Sequence, residues 1–104
     1  MSRPERLEHD ALEAWLVEHP SWSLENAHLV RTFATRDDQS ALAIVVAQAG
    51  LATSLDHHPV VTLGYRSVHF ELWTHDRDAI TRLDLEFAQG LDDIVRERYA
   101  AFLV

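Results

Sequence analysis

Hydrophobic residues recur at helical spacing in three parts of the chain. Ser2 can cap the first helix, and Thr81 with Asp84 forms a candidate capping box at the start of the last one. The second helix is apolar on nearly every side, so we expect it to be largely buried. The predicted helices cover about Pro4–Glu18, Asp37–Ser54 and Thr81–Phe102.

Alternating hydrophobic and polar residues between these helices predict two β-hairpins. In the first hairpin, a short strand with Trp22 and Leu24 turns at Glu25-Asn26, which supplies turn chemistry, and continues into a second strand over Leu29–Ala34. The second hairpin joins two strands through the turn Gly64–Ser67. These strands are predicted at Val60–Leu63 and Ser67–Thr74.

The second hairpin has one register that sorts the side chains of both strands consistently. If the turn centres between Tyr65 and Arg66, one face is apolar and the other is mixed, whereas a slip of one residue would exchange the faces. Extending this register places His58 opposite Trp73, with His75 diagonally adjacent at about 7–8 Å. The predicted pairs are Leu63–Val68, Val61–Phe70, Thr62–His69 and Val60–Glu71.

Length and composition narrow the class of protein. A chain of 104 residues fits one domain spanning residues 1–104, and the absence of cysteine excludes disulfides and thiolate metal sites. The net charge of -8 argues against binding to nucleic-acid phosphates. The N-terminus is no signal peptide, and the longest apolar stretch, Ala41–Ala52, is too short for a bilayer. We therefore expect a cytoplasmic protein with no nucleic-acid or membrane partner.

The histidines at the open end of the second hairpin are the candidate chemistry. His57, His58 and His75 meet there, and because histidine titrates near pH 6.5, neutral and protonated imidazoles can coexist. Such a pair suits a general base and a general acid in an elimination or dehydration. A three-histidine metal site is conceivable, but no carboxylate pattern or helical histidine spacing supports it. The other histidines are expected to be structural or surface residues: His9, His19, His28 and His69.

One set of spaced residues resembles the pterin-4a-carbinolamine dehydratase family, and the resemblance covers nearly the whole chain. It implies an α+β fold with a four-stranded antiparallel sheet, three helices on one face, the order α-β-β-α-β-β-α, and assembly as a homodimer or homotetramer. It also implies dehydration of 4a-hydroxytetrahydrobiopterin to quinonoid dihydropterin without metal or cofactor, which recycles the cofactor of aromatic amino acid hydroxylases. The matching residues are His57-His58-Pro59, Tyr65, Thr74-His75-Asp76, Thr81, Asp84 and, ahead of the first hairpin, Trp22.

The resemblance also implies roles for individual residues. His58 and His75 would carry out the proton transfers and His57 would bind or assist, while the assignment of acid and base stays open. The residues implied to line the pterin pocket are Asp56, His57, His58, Trp73, Thr74, His75 and Asp76.

The chain departs from the family pattern at several positions, which keeps two alternatives open. Thr53 stands where an ionisable residue is usual, and Trp73 stands where a small residue is common. One alternative is a catalytically weak dehydratase-like scaffold that acts as an oligomeric protein-interaction module. The other is a different small-molecule lyase or isomerase that uses the same pocket. The remaining departures are Val60, Val61 and Asp78-Ala79-Ile80.

Overall fold

The computed structural model describes residues 4–104, and it confirms the predicted order of three helices and four strands. The predicted cap at Ser2 lies outside the described residues. Two short 3-10 turns follow β4 and α3, at His75–Arg77 and Ala100–Phe102. The elements are α1 (His9–Glu18), β1 (Ser23–Glu25), β2 (His28–Ala34), α2 (Asp38–Leu55), β3 (Val60–Leu63), β4 (Ser67–Leu72) and α3 (Arg82–Arg98).

The four strands form one antiparallel sheet in the order β1-β2-β4-β3. The first hairpin turns through Asn26 and Ala27, which both have positive φ, as a tight two-residue hairpin turn requires. The register predicted for the second hairpin is confirmed at every pair from Val60–Glu71 to Leu63–Val68. The pairing of β2 with β4 at the centre of the sheet was not predicted, because these strands belong to different hairpins and α2 separates them in the sequence.

One face of this sheet forms the core. Alternate residues of β4 are buried, and the helices cover them, which confirms the α+β fold. Burial of large apolar side chains supplies about 1.5–3 kcal/mol each, so this layer holds the helices on the sheet. The core residues contributed by the central strands and the helices include Leu29, Phe33, Val68, Phe70, Leu72, Leu12, Ile44, Phe87 and Leu91.

The first helix begins at His9, five residues later than the predicted start at Pro4. Residues ahead of it run extended because Arg6 bridges to Thr81 and the Leu7 N–H donates to the Ile80 carbonyl at 2.9 Å. This backbone pairing competes with helix formation and joins residues far apart in sequence. Local helical spacing therefore could not reveal it.

The last helix and the last strand are shorter than predicted. The third helix ends at Arg98, not Phe102, because the following 3-10 turn carries the chain back to the end of β2, where Leu103 bridges to Thr35, the residue after that strand. Strand β4 ends at Leu72, and Thr74 pairs instead with Ala79.

The prediction that α2 is largely buried is wrong. Its buried residues lie on the side that faces the sheet and α3, whereas Leu42 is 51% exposed and Val46 is 66% exposed. Helix α2 therefore packs against the sheet with one side, and apolar side chains are exposed on its other side. Within residues 4–104, no helix combines the length and apolar character needed to span a membrane.

Candidate active site

A pocket of about 220 Å³ lies where two chain segments meet. One segment connects α2 to β3 and the other follows β4. Each contributes three consecutive residues, so the three histidines His57, His58 and His75 share one pocket. The lining residues are Asp56, His57, His58, Thr74, His75 and Asp76.

The end of α2 sets the directions of the adjacent histidines. Asp56 has a left-handed backbone conformation, with φ 50° and ψ 45°. Its N–H donates to the Thr53 carbonyl at 3.2 Å, and the His57 N–H donates to the Ala52 carbonyl at 3.0 Å. This pair of backbone hydrogen bonds is the Schellman motif, which ends a helix and sharply reverses the direction of the chain. As a result, His57 is buried and the next residue, His58, is exposed.

Asp84 fixes the ring of His57. The His57 Nε2 donates to Asp84 Oδ1 at 2.6 Å, and the two side chains are 5% and 0% exposed. Because a carboxylate only accepts hydrogen bonds, Nε2 carries the proton and Nδ1 is the ring nitrogen left for a ligand. A buried aspartate fixes the tautomer and orientation of a catalytic histidine in the same way in the serine protease triad.

The second oxygen of Asp84 completes the predicted capping box and reaches the other pocket segment. Oδ2 accepts from the Thr81 N–H and from the Thr74 hydroxyl, both at 2.9 Å. The Thr81 hydroxyl lies 2.6 Å from that of Thr74 and accepts from the Leu83 N–H at 3.2 Å. The capping box is confirmed, and the same carboxylate holds together α3, His57 and Thr74.

A tight turn after β4 places His75. The Thr74 N–H donates to the Ala79 carbonyl at 2.8 Å, and the Arg77 N–H donates to the Thr74 carbonyl at 3.1 Å. Asp78 has φ 48° and lets the chain return after only one 3-10 turn. Thr74 is thus buried at the base of the turn, while His75 and Asp76 are exposed at the pocket.

Trp73 is not among the residues that line the pocket. Its ring stacks between His28 and His75, with centroid distances of 3.9 and 4.2 Å. Pairing between β3 and β4 begins at Val60, so the sheet does not extend to a His58–Trp73 pair. The ring partner of Trp73 comes from β2, which sequence analysis did not pair with β4.

Two further expectations concern residues outside the pocket. Thr53 is exposed and does not line the pocket; its carbonyl accepts from Asp56, while Asp84 orients His57. Tyr65 lies at the hairpin turn and is exposed. In the part of the chain that the structure describes, no group of three or more His, Cys, Asp or Glu side chains is placed to hold a metal ion.

From the sequence, Asp84 was predicted to be a helix-cap residue, and His28 was predicted to be a structural or surface residue. The bond from His57 to Asp84 spans 27 positions in the chain, so local patterns do not show it. The available signal was the fixed spacing of Asp84 in the family match. For His28 the signal would have been the pairing of β2 with β4, which places it next to Trp73.

Comparison with known proteins assigns the family. The sequence model of the family described as pterin 4 alpha carbinolamine dehydratase matches residues 5–94. A relative from Chloroflexus aurantiacus is 37% identical over 90 residues, covering 86% of this chain and 97% of the relative. Another from Streptomyces coelicolor is 35% identical over 91 residues, covering 86% and 90%. The names of both relatives assign them provisionally to this family.

Solved structures agree with this assignment. A transcriptional coactivator/pterin dehydratase from Brucella melitensis superposes with a TM-score of 0.82 at 27% identity, covering 86% of this chain and 98% of that one. A pterin dehydratase-like protein described as a RuBisCO assembly factor in the alpha-carboxysome has a TM-score of 0.59 at 20% identity, covering 70% and 84%, and shares the fold. The chain described here therefore belongs to the pterin 4 alpha carbinolamine dehydratase family.

Proposed function

We propose that this protein is a hydro-lyase that dehydrates 4a-hydroxytetrahydrobiopterin to quinonoid dihydropterin. The single observation that carries the proposal is the shared pocket, which His57 and His58 line from one segment and His75 lines from another. Family membership supports a lyase-type enzyme with a pterin substrate. The pocket residues offer imidazoles and carboxylates for proton transfer, and the dehydration of a carbinolamine needs little more.

The reaction removes one molecule of water in two linked proton transfers. A neutral imidazole takes a proton from the ring nitrogen next to C4a, and the electron pair of that N–H bond forms the C=N bond. The C4a–O bond breaks, and a protonated imidazole delivers its proton to the departing hydroxyl to form water. We assign these two roles to His58 and His75, which are exposed at the pocket.

His57 has a different role in this proposal. Its ring is buried and tied to Asp84, so it offers the substrate one fixed nitrogen, Nδ1. A buried, oriented ring is suited to holding a polar group of the pterin or assisting a transfer. The pocket is smaller than the roughly 300–1,000 Å³ that encloses a whole drug-sized ligand, so the reacting edge of the pterin enters it.

The test is a stopped-flow assay that follows loss of 4a-hydroxytetrahydrobiopterin. We expect the wild type to exceed the uncatalysed rate, and His58→Ala and His75→Ala each to lower kcat by about 10²- to 10⁴-fold. His9→Ala is the matched control, because His9 is exposed on α1 and pairs only with Glu13 among the contacts described. A wild type no faster than the uncatalysed reaction, or an unchanged rate in the His58/His75 double variant, contradicts the proposal.

The interaction-module alternative is supported by one observation, the exposed apolar side of α2 at Leu42 and Val46. It predicts that the wild-type protein dehydrates the substrate no faster than the uncatalysed reaction. It also predicts that a protein partner is retained after all three pocket histidines are replaced. The same variants therefore separate the two candidate functions.

A further inference from the structure

Three aromatic rings stack in a row beside the pocket, and only the last of them lines it. Trp73 lies nearly parallel to His28 on one side, at 3° and 3.9 Å, and to His75 on the other, at 11° and 4.2 Å. His75 is the member that reaches the pocket. Stacked aromatic rings attract each other beyond the area that they bury, so both faces of Trp73 are held.

The sheet explains why His28 and Trp73 meet. Strands β2 and β4 pair with Leu29 opposite Leu72, so one further step places His28 opposite Trp73. Side chains alternate along a strand, and Leu72 belongs to the core, so Trp73 lies on the face away from the helices. The stack is thus a cross-strand pair built on the two central strands, with His75 added at its end.

His28 is itself held in place. Its Nδ1 is hydrogen-bonded to the carboxylate of Glu71, which lies two residues before Trp73 on the same face of β4. Both His28 and Glu71 are partly buried, which leaves the His28 ring less freedom than a surface histidine has. The row therefore begins at a fixed point of the sheet.

The ring of His75 has no hydrogen bond comparable to the one between His28 and Glu71 among residues 4–104. His75 lies in a three-residue 3-10 turn and is exposed. An exposed ring of this kind exchanges rotamers on the picosecond-to-nanosecond timescale. Among residues 4–104, the ring contact found for His75 is its stack on Trp73.

We propose that Trp73 is a positioning residue that sets the ring plane of His75, with His28 and Glu71 anchoring its far side. This inference rests on the proposed dehydratase function, because it concerns the geometry of one of its two proton-transfer groups. Misplacement of such a group by about 1 Å can cost up to about 10²-fold in rate. Because Trp73 does not line the pocket, its loss affects kcat and leaves KM unchanged.

The experiment compares Trp73→Leu, Trp73→Phe and His28→Ala with the wild type. We expect Trp73→Leu to lower kcat about 3- to 10-fold, Trp73→Phe to restore most of it because an aromatic face is kept, and His28→Ala to have an intermediate effect. In the ligand-free protein, NMR should show the His75 ring protons moving downfield in Trp73→Leu, since they leave the shielding region of the indole. Ring relaxation should show increased motion of His75 in the same variant.

The matched control is Trp15→Leu. Trp15 stacks on His19 at 4.0 Å and 13°, a similar stack formed by residues that do not line the pocket. This variant should shift the His19 ring protons and leave kcat and the His75 signals unchanged.

Two kinds of result would overturn the positioning role: unchanged His75 signals with unchanged kcat in Trp73→Leu, or a raised KM with unchanged kcat, which would place the indole against the substrate. If Trp73→Leu does not fold, the same comparison of kcat and His75 signals is made with His28→Ala. A wild type without activity rejects the proposed function, while the His75 signals still decide whether Trp73 fixes the ring.

Discussion

The buried carboxylate of Asp84 has three structural roles. It caps α3 through the Thr81 N–H, accepts the Thr74 hydroxyl and holds the ring of His57. Buried charges are costly unless they are fully hydrogen-bonded, and here both oxygens are occupied. The residue that folding needs at the start of α3 is therefore also the one that orients the pocket.

Replacing Asp84 by Asn separates its role in the helix cap from its role in orienting His57. The amide still accepts one hydrogen bond at the cap, but it has no charge to hold the His57 Nε2–H and can present its own N–H instead. We expect kcat to fall between about 10-fold and the roughly 10⁴-fold loss seen when the aspartate of a catalytic triad becomes asparagine. We also expect a loss of about 1–3 kcal/mol in the free energy of unfolding.

The measurement is the dehydration assay at a temperature where circular dichroism shows the variant folded. Asp93→Asn provides the control on the same helix, since Asp93 bonds only Gln89 and Arg96 among the contacts described. Equal kcat in wild type and Asp84→Asn would show that the fixed His57 ring has no part in the reaction.

For α2, the local sequence predicts where the helix begins but not how much of it is buried. Its start was predicted within one residue, because Asp37 is a cap that can be recognised from its neighbours: its carboxylate accepts from the Ser40 N–H at 2.7 Å. The prediction that α2 is largely buried was wrong, because the apolar pattern does not show which side of the helix packs against the sheet and α3.

The cap makes the stability of α2 depend on pH. The hydrogen bond from the Ser40 backbone N–H holds the pKa of the Asp37 carboxyl below its usual value. The folded pKa thus lies below the unfolded one, so the stabilisation is present above the unfolded pKa and is lost as pH falls through the folded pKa. We expect Asp37→Ala to lower the melting temperature at pH 7 and the difference from wild type to vanish in acid.

Thermal unfolding across this pH range is the measurement, with Asp38→Ala as the neighbouring control. Asp38 is also acidic and lies in the first turn of the same helix, but Asp37 is the residue whose side chain forms the cap bond. A pH-independent difference for Asp37→Ala would contradict the ionised cap.

Elements that depend on neighbours in sequence were predictable, and contacts between distant segments were not. The register of β3 and β4 followed from alternation across one turn. The start of α1 was wrong because Leu7 pairs with Ile80, and the neighbour of Trp73 was missed because β2 pairs with β4. Likewise, the three pocket histidines were found from one hairpin, whereas the link from His57 to Asp84 needed the packing of α3.

In the whole molecule, α2 leaves one apolar side uncovered. Leu42 and Val46 lie one turn apart and are both more than half exposed. The family resemblance implies a homodimer or homotetramer, and a second copy would bury these side chains at about 25 cal/mol per Å² of apolar surface. We propose that α2 meets α2 of another chain.

Light scattering after size-exclusion chromatography tests this assembly. We expect an oligomeric wild type and a smaller mass for Val46→Glu, because a charge would then be buried at the interface. Val17→Glu on α1 is the control, since Val17 is 79% exposed and lies on another helix. A monomeric wild type, or the same loss of mass from Val17→Glu, contradicts the proposed interface.

Histidine NMR tests whether imidazoles from the two pocket segments contact the same bound ligand. Side chains labelled with ¹⁵N would be assigned with single His→Gln variants and titrated with a stable dihydropterin that cannot undergo dehydration. We expect the ring signals of His57, His58 and His75 to change together with one binding constant, while those of His9 and His69 stay fixed. Changes at His9 or His69, or at only one of the three pocket histidines, would contradict it.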